Sequence, residues 1–321
     1  MALGEFALID RYFRACGARR TDVVAGVGDD AALLQVPGDT ELVAATDTLV
    51  AGVHFPPGSP AASIGHRALA VNLSDLAAMG ARPAWALLAL TLPEVEEGWL
   101  AEFTSGFGEL ARAHEVQLVG GDTTRGPLCI TVQLLGFVPR GRALRRSGGR
   151  PGDALFVSGT PGDAAAGLAL AEGRLSTPAD LSGYLRERFE LPSPRVALGE
   201  RLRQFASACI DVSDGLFADA TKLAQASGTG LQIEYEALPV SELLERAVGA
   251  ERARELALTG GDDYELCFSV AEKNLVSLMQ ELPPPRWGYR RIGALRDSPE
   301  SVVLRDGSVM QFSHSGYQHF P

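Results

Sequence analysis

The sequence predicts an α/β (α+β) protein of two domains, and three observations carry that reading. The 321 residues are enough for two ordinary domains, or for one large one with a generous core. Helix-like and strand-like periodicities alternate along the chain. A segment rich in Gly, Arg and Pro, PRGRALRRSGGRPGD (139–153), lies between two apolar strand-like runs and reads as a boundary. An N-terminal domain at 1–139 and a C-terminal domain at 150–321 follow.

EFALIDRYFRAC (5–16) repeats apolar residues at three and four and predicts a helix, whereas ELVAATDTLV (41–50) and LCITVQLLGFV (128–138) read as strands. Between those strands lie two helical patterns. SIGHRALAVNLSDLAAMG (63–80) ends at Gly80 ahead of Arg82-Pro83, and EEGWLAEFTSGFGELARAHE (96–115) follows; a strand-like apolar run comes after each. The second half opens with ALFVSGTPGDAAAGLALAEG (154–173), a strand, a Gly/Pro turn and a small-residue helix. ACIDVSDGLFADATKLAQASG (208–228) again runs from strand to helix, and LALTGGDDYELCFSV (256–270) reads as two strand pieces flanking a GGDD turn. NLSD (72–75) before GGD (120–122) is echoed by DVSD (211–214) before GGD (260–262) at nearly the same separation, leaving duplication and coincidence both open.

The composition, 46% hydrophobic and 21% charged, is that of a globular chain, and apolar runs such as AWALLALTL (84–92) are far too short to span a bilayer. The start MALGEFALIDRYF lacks a basic region followed by an uninterrupted apolar core, so a cytoplasmic protein without a signal peptide is expected. Cys16, Cys129, Cys209 and Cys267 are scattered and form no CxxC pair, as suits reduced thiols rather than a disulfide or zinc site. A net charge of −11 argues against general nucleic-acid binding. Lys222 and Lys273 are the only lysines, so phosphates would be met by arginine, backbone amides or metal ions.

Acidic residues recur at the ends of apolar strands or in Gly turns: GVGDDAA, ATDTLV, VNLSDL, VGGDTT, IDVSDG and TGGDDYE. For any one of them a helix cap or turn is the plainer reading. Six together alter the balance, because converging carboxylates repel unless a hard cation sits among them, and carboxylate, hydroxyl and carbonyl oxygens suit magnesium. Magnesium held by few carboxylates shares its other positions with water and substrate phosphates, which points to a nucleotide. The GxxxxGK[ST] loop and the protein-kinase motifs are absent. RALRRSGGR (142–150) offers arginines that read equally well as a solvated loop, and GGD alone is a turn as readily as a close approach to ligand. His54, His66 and His114 stand equally between substrate contact and satisfied structural residues. No GxSxG and no activated cysteine occurs.

GEFALIDRYF, GVGDDAALL, TDTLVAGVHF, ALAVNLSDLAAMGA, GGDTTRGP, GTPGDAAAGLAL, DVSDGL, GGDDYELCF and the terminal GYQHF resemble, in this order and over nearly the whole length, the blocks of the thiamine-monophosphate kinase family. The wider aminoimidazole ribonucleotide synthetase-like superfamily shares the acidic blocks and the fold. The resemblance implies an N-terminal mixed sheet with helices that binds ATP and magnesium and pairs with a second subunit in a homodimer. It also implies a C-terminal α/β domain that helps enclose the substrate. Carried over, the magnesium ligands fall on Asp30, Thr46, Asp47, Asp75, Asp122, Asp211 and Asp214, of which Asp47, Asp75 and Asp122 are the most critical. ATP contacts fall on Gly121, Asp122, Arg146 and Ser213, and thiamine-phosphate contacts on His54, Asp262 and Tyr317, with Phe320 as the neighbouring aromatic. Ala45 replaces a frequent hydroxyl residue and Asp262 a common glutamate.

The expected reaction is ATP-dependent phosphorylation of thiamine monophosphate to thiamine diphosphate by direct in-line transfer at a polynuclear magnesium site. The alternatives are another ATP-using member of the superfamily, such as aminoimidazole ribonucleotide synthetase, and a non-catalytic magnesium-nucleotide-binding module. Asp30 is expected to ligate metal while Asp29 caps or orients its loop.

Overall fold

The computed structural model describes residues 5–311 and 316–317. They form two compact units: one holds the described residues up to Leu76 with Ala81–Arg142, the other Ala77–Gly80 with the described residues from Ala143 on.

In order, the first part of the chain forms α1 (Glu5–Tyr12), β1 (Val23–Ala25), β2 (Leu33–Leu34), β3 (Thr40–Val50), α2 (Ala61–Ala78), β4 (Arg82–Leu92), α3 (Glu97–Ala113), β5 (Gln117–Arg125) and β6 (Cys129–Pro139). A mixed sheet of order β3-β6-β4-β5 results, antiparallel except for β4 and β5, which run parallel because α3 crosses between them. Strand alternation gives this sheet two faces. Ile130, Val132, Leu134 and Val138 of β6 are buried, and Leu76 of α2 lies against Gly136 on that same side. Thr46 and Gln133, directly opposite one another, belong to the other face. β1 and β2 form a separate antiparallel pair.

The second part forms β7 (Ala154–Ser158), α4 (Asp163–Ala171), α5 (Ala179–Glu190), α6 (Val196–Leu202), β8 (Ala206–Val212), α7 (Leu216–Ala226), β9 (Gly230–Glu234), α8 (Glu242–Val248), α9 (Ala250–Thr259), β10 (Glu265–Val270), α10 (Leu275–Glu281), α11 (Pro284–Trp287), β11 (Tyr289–Arg296), β12 (Val302–Arg305) and β13 (Ser308–Val309). Its seven-stranded sheet has the order β13-β12-β9-β11-β7-β10-β8. β7, β8 and β10 are fully or almost wholly buried apolar runs, and α7 packs Leu216, Ala220, Leu223 and Ala224 into the core they share with β9 and β11.

Two expectations need correction, and one open question is decided. LALT (256–259) is not a strand: it is the last turn of α9, because Ala253, Ala257 and Leu258 continue a helical stripe that is buried. The first helix stops at Tyr12, four residues short of its pattern. The NLSD/DVSD echo is not a structural repeat, since Asn72 and Asp75 lie inside α2 whereas Asp211 lies in β8 and Asp214 in the loop after it. The boundary segment 139–153 contains the passage from one unit to the other, and it is pinned: Cys209 N–H donates to Arg145 O and Gly149 N–H to Ser227 Oγ. Burial pushes the Cys16 thiol up to about 11 and raises Cys209 well above its usual value, so neither is an activated nucleophile. Among the described residues no helix is long and apolar enough to cross a membrane.

Candidate active site

In the first unit a cavity of about 1100 Å³ is lined by Gly28, Asp29, Asp30, Thr46, Gly121 and Asp122, among others. The Asp29 side chain accepts the Asp30 N–H at 2.9 Å, so Asp29 shapes the loop that presents its neighbour. Thr46 reaches the cavity because the pleat turns alternate residues of β3 that way, and its hydroxyl donates to Val132 O at 3.1 Å. Asp122 follows the two glycines in β5. Gly121 sits at φ +153, and a Cβ there would stand 1.9 Å from Leu88 O, so this glycine exists first to let β5 approach β4. Gly121→Ala is therefore expected to displace β5 and with it Asp122, costing about 1–3 kcal/mol. Chemical denaturation reads that loss; an unchanged midpoint would show that the strand pair relaxes freely.

The same pleat sends Asp47 to the opposite face. There its carboxyl is hydrogen-bonded to that of Asp75 from α2. Burial raises the Asp47 pKa, opposed by the Asp75 hydrogen bond and the nearby His54 ring. His54 Nδ1 accepts the Val50 N–H at 3.0 Å, so the neutral ring carries its proton on Nε2. The predicted residues of this unit thus divide into two groups. Asp30, Thr46, Gly121 and Asp122 face the cavity, while Asp47, Asp75 and His54 gather behind the sheet.

In the second unit Asp211 is the penultimate residue of β8, buried at 6% exposure, and the chain turns into α7 through 213–215. That turn is wrapped around Asp219. One carboxylate oxygen accepts the N–H groups of Ser213 at 3.0 Å, Asp214 at 2.9 Å and Gly215 at 3.3 Å. Lys222, one turn along α7, donates to the other Asp219 oxygen at 2.8 Å and also to Asp214. Burial disfavours its ammonium, but the hydrogen bonds it donates to Asp214 and Asp219 outweigh that and raise its pKa. Main-chain bonds then collect the rest: Asp262 N–H donates to Ser213 O, Tyr264 N–H to Val212 O, and Tyr317 N–H to Asp214 O. Asp262 and Tyr264 both hold left-handed φ, +71 and +52, at a cost of roughly 1–2 kcal/mol each. Arg146 stands apart. Its carbonyl accepts from Ser227, at the C-terminal end of α7, about 16 Å of helix from the turn that carries Ser213. Phe320 lies outside the described residues.

Asp219, Lys222, Asp263 and Glu265 escaped the sequence reading. The signal for the first pair was present, as one of only two lysines falls three residues after an aspartate on a predicted helix. Glu265 is fully buried at the start of β10, where it accepts from Ser158, Arg188 and Arg195. Nothing local in YELCF marks a glutamate whose partners lie 70 and 77 residues away.

Among the described residues no three His, Cys, Asp or Glu side chains form a group able to hold a metal ion by themselves. The donors present are all hard oxygens, in ones and twos. That fits a magnesium ion carried by one or two carboxylates with water and phosphate oxygens completing its shell, and does not fit an all-protein cage.

Residues 28–138 match the AIR synthase related protein N-terminal domain, and residues 150–302 the corresponding C-terminal domain. The chain is 49% identical over 322 aligned positions to the thiamine-monophosphate kinase of Escherichia coli, covering 100% of this chain and 99% of that one. The crystal structure of the thiamine-monophosphate kinase from Stenotrophomonas maltophilia superposes with TM-score 0.85 at 48% identity, covering 97% of this chain and 99% of the other. AaThiL complexed with AMPPCP and TMP superposes with TM-score 0.78 at 32% identity, covering 100% and 99%.

Proposed function

The chain belongs to the thiamine-monophosphate kinase family of phosphotransferases, and from that premise we propose that it transfers the γ-phosphoryl group of ATP directly to thiamine monophosphate. The products are thiamine diphosphate and ADP, the last step in making the diphosphate. The observation that carries this reading is the 49% identity sustained over the entire chain. The AMPPCP and TMP held by AaThiL supply the chemical classes of both substrates.

The acceptor brings its own nucleophile. The second ionisation of a phosphate monoester lies at about pH 6, so an oxyanion is present at neutral pH and no general base is needed. A phosphate oxygen of thiamine monophosphate attacks the γ-phosphorus as the bond to the β,γ-bridging oxygen breaks and ADP leaves. Such a transfer is governed by positioning and charge compensation. Several magnesium ions, when bound, supply that compensation. Asp30, Thr46, Asp47, Asp75 and Asp122 of the first unit, and Asp211 and Asp214 of the second, are the oxygen donors proposed to hold them. Thr46 and Asp47 side chains lie on opposite faces of β3, so they would offer their oxygens on different sides of the sheet. Gly121, Asp122, Arg146 and Ser213 are assigned to ATP. His54, with an Nε2–H to donate, and Asp262 and Tyr317 are assigned to the thiamine phosphate.

We assign ATP and magnesium binding, and pairing in a homodimer, to an N-terminal domain at 1–139. Enclosure of the substrate falls to a C-terminal domain at 150–321. Val24, Leu33, Val36 and Leu42 of the first unit, all about half exposed, support pairing with a second copy. The test is to incubate the protein with ATP, magnesium and thiamine monophosphate and to resolve the thiamine species by chromatography, with EDTA and acceptor-free controls. Thiamine diphosphate formed only in the complete mixture is the expected result. Binding of ATP without that product would overturn the substrate assignment, and retention of configuration at phosphorus would overturn direct transfer.

A further inference from the structure

We infer that Asp263, a buried carboxylate with no part in the transfer itself, is the positioning residue that aims Asp262, by clamping the 260–264 turn to the N-terminus of α4. The inference rests on the reading of Asp262 as a thiamine-phosphate contact. Asp263 is 1% exposed, and its Oδ2 accepts the Gly162 N–H at 2.8 Å while Oδ1 faces the Ala164 N–H at 3.4 Å. Gly162 is the residue before α4 and has no side chain with which to cap it. The amide just before this helix, and one in its first turn, therefore take their acceptor from a residue about a hundred positions later in sequence, and the turn is fixed to them in return.

The residues on either side show what that clamp does. Asp262 and Tyr264 both hold left-handed φ, a conformation that tyrosine rarely adopts. Such backbone persists where the surroundings over-determine it, and such outliers gather at functional sites. Three independent bonds do so here: Asp263 to Gly162, Asp262 N–H to Ser213 O, and Tyr264 N–H to Val212 O. The two main-chain bonds tie the turn to the loop carrying Ser213 and Asp214, and the carboxylate ties it to the loop before α4. With Asp263 turned inward, Asp262 is left partly exposed, its Oδ1 accepting from the Tyr264 hydroxyl at 3.3 Å. Glu265 fixes the next inward position through Arg188, Arg195 and Ser158, so the strand cannot slide to release the turn. Without the clamp, Asp262 and Tyr264 are free to relax toward negative φ, which re-aims the Asp262 carboxylate.

The experiment measures binding of thiamine monophosphate and of AMPPCP to the full chain by calorimetry with magnesium present, together with amide hydrogen exchange. Asp263→Ala is expected to weaken thiamine-monophosphate binding by about tenfold or more, leave AMPPCP within about twofold, and speed exchange at Gly162, Asp262 and Tyr264. Asp263→Asn, which keeps an acceptor for the Gly162 amide, is expected to restore most of that affinity. Should the alanine variant not fold, Asp263→Ser, too short to reach both amides, is read the same way. Unchanged thiamine-monophosphate affinity overturns the inference, as does equal loss of both ligands or an asparagine variant as impaired as alanine. Asp262→Ala separates the two levels. Wild-type affinity there overturns the reading of Asp262 itself, whereas weakened binding beside an intact Asp263→Ala overturns only the clamp.

Discussion

Asp47→Asn is expected to abolish phosphoryl transfer, by about 10²–10³-fold or more, while leaving the fold intact, and Asp75→Asn to do the same. The two carboxyls already share a hydrogen bond, and burial raises the Asp47 pKa. Asparagine matches the size and keeps a hydrogen bond, but removes the negative charge with which either residue would hold a magnesium ion. The second half of the prediction follows from the sign of the shift. A carboxyl whose folded pKa lies above its unfolded one charges folding a cost at every pH above that folded value. The neutral amide has no such cost, so in EDTA the Asp47→Asn variant should unfold at the same temperature as the parent or higher. Steady-state turnover and thermal unfolding in parallel make the check. Wild-type turnover in either variant removes that residue from the site, and a sharply lowered midpoint would mean that the pair serves stability instead.

Glu265→Gln should destabilise the second unit by about 3–5 kcal/mol, the cost of stranding buried cations when their counter-charge is taken away. Glu265 is fully buried, and Arg195 grips both its oxygens, at 2.6 and 2.5 Å, while Arg188 adds a third bond at 3.0 Å. Burial alone would hold this glutamate protonated; the Arg195 hydrogen bonds and charge, with those of Arg188 and Ser158, win and lower its pKa below 4.5. The pH consequence has a definite direction. The stabilisation is fully present above the unfolded value of 4.5 and disappears as pH falls through the lower folded value. The parent should therefore lose stability on acidification from 4.5 down through the folded value, in a step that Glu265→Gln lacks. Urea melts across pH 3–7 measure both, and coincident curves for the two proteins would exclude an ionised Glu265.

Much of this protein could be read before any coordinates. Apolar strand-like runs at 41–50 and 128–138, and helical patterns at 63–80 and 96–115, marked four elements that the structure contains as β3, β6, α2 and α3. The acidic blocks and their order named the family, since GVGDDAALL, DVSDGL and GGDDYELCF stand in the order the family has them. LALT misled because four residues are fewer than the period needed to tell a buried strand from the last turn of a helix.

What only the tertiary structure decided is which side of the sheet each predicted site residue faces and what holds it there. Thr46 and Asp47 are neighbours in sequence, yet one lines the cavity and the other meets Asp75 behind the sheet, because the pleat separates what the chain joins. Asp219 and Lys222 hold the turn that carries Ser213 and Asp214. Asp263 and Glu265 hold the one that carries Asp262. Each of the last two binds groups seventy or more residues distant, through backbone amides or guanidinium groups that exist as partners only once the sheet has assembled. A carboxylate that ligates, one that caps and one that is paired in the core are the same letter; burial and partners tell them apart, and both arise from the fold.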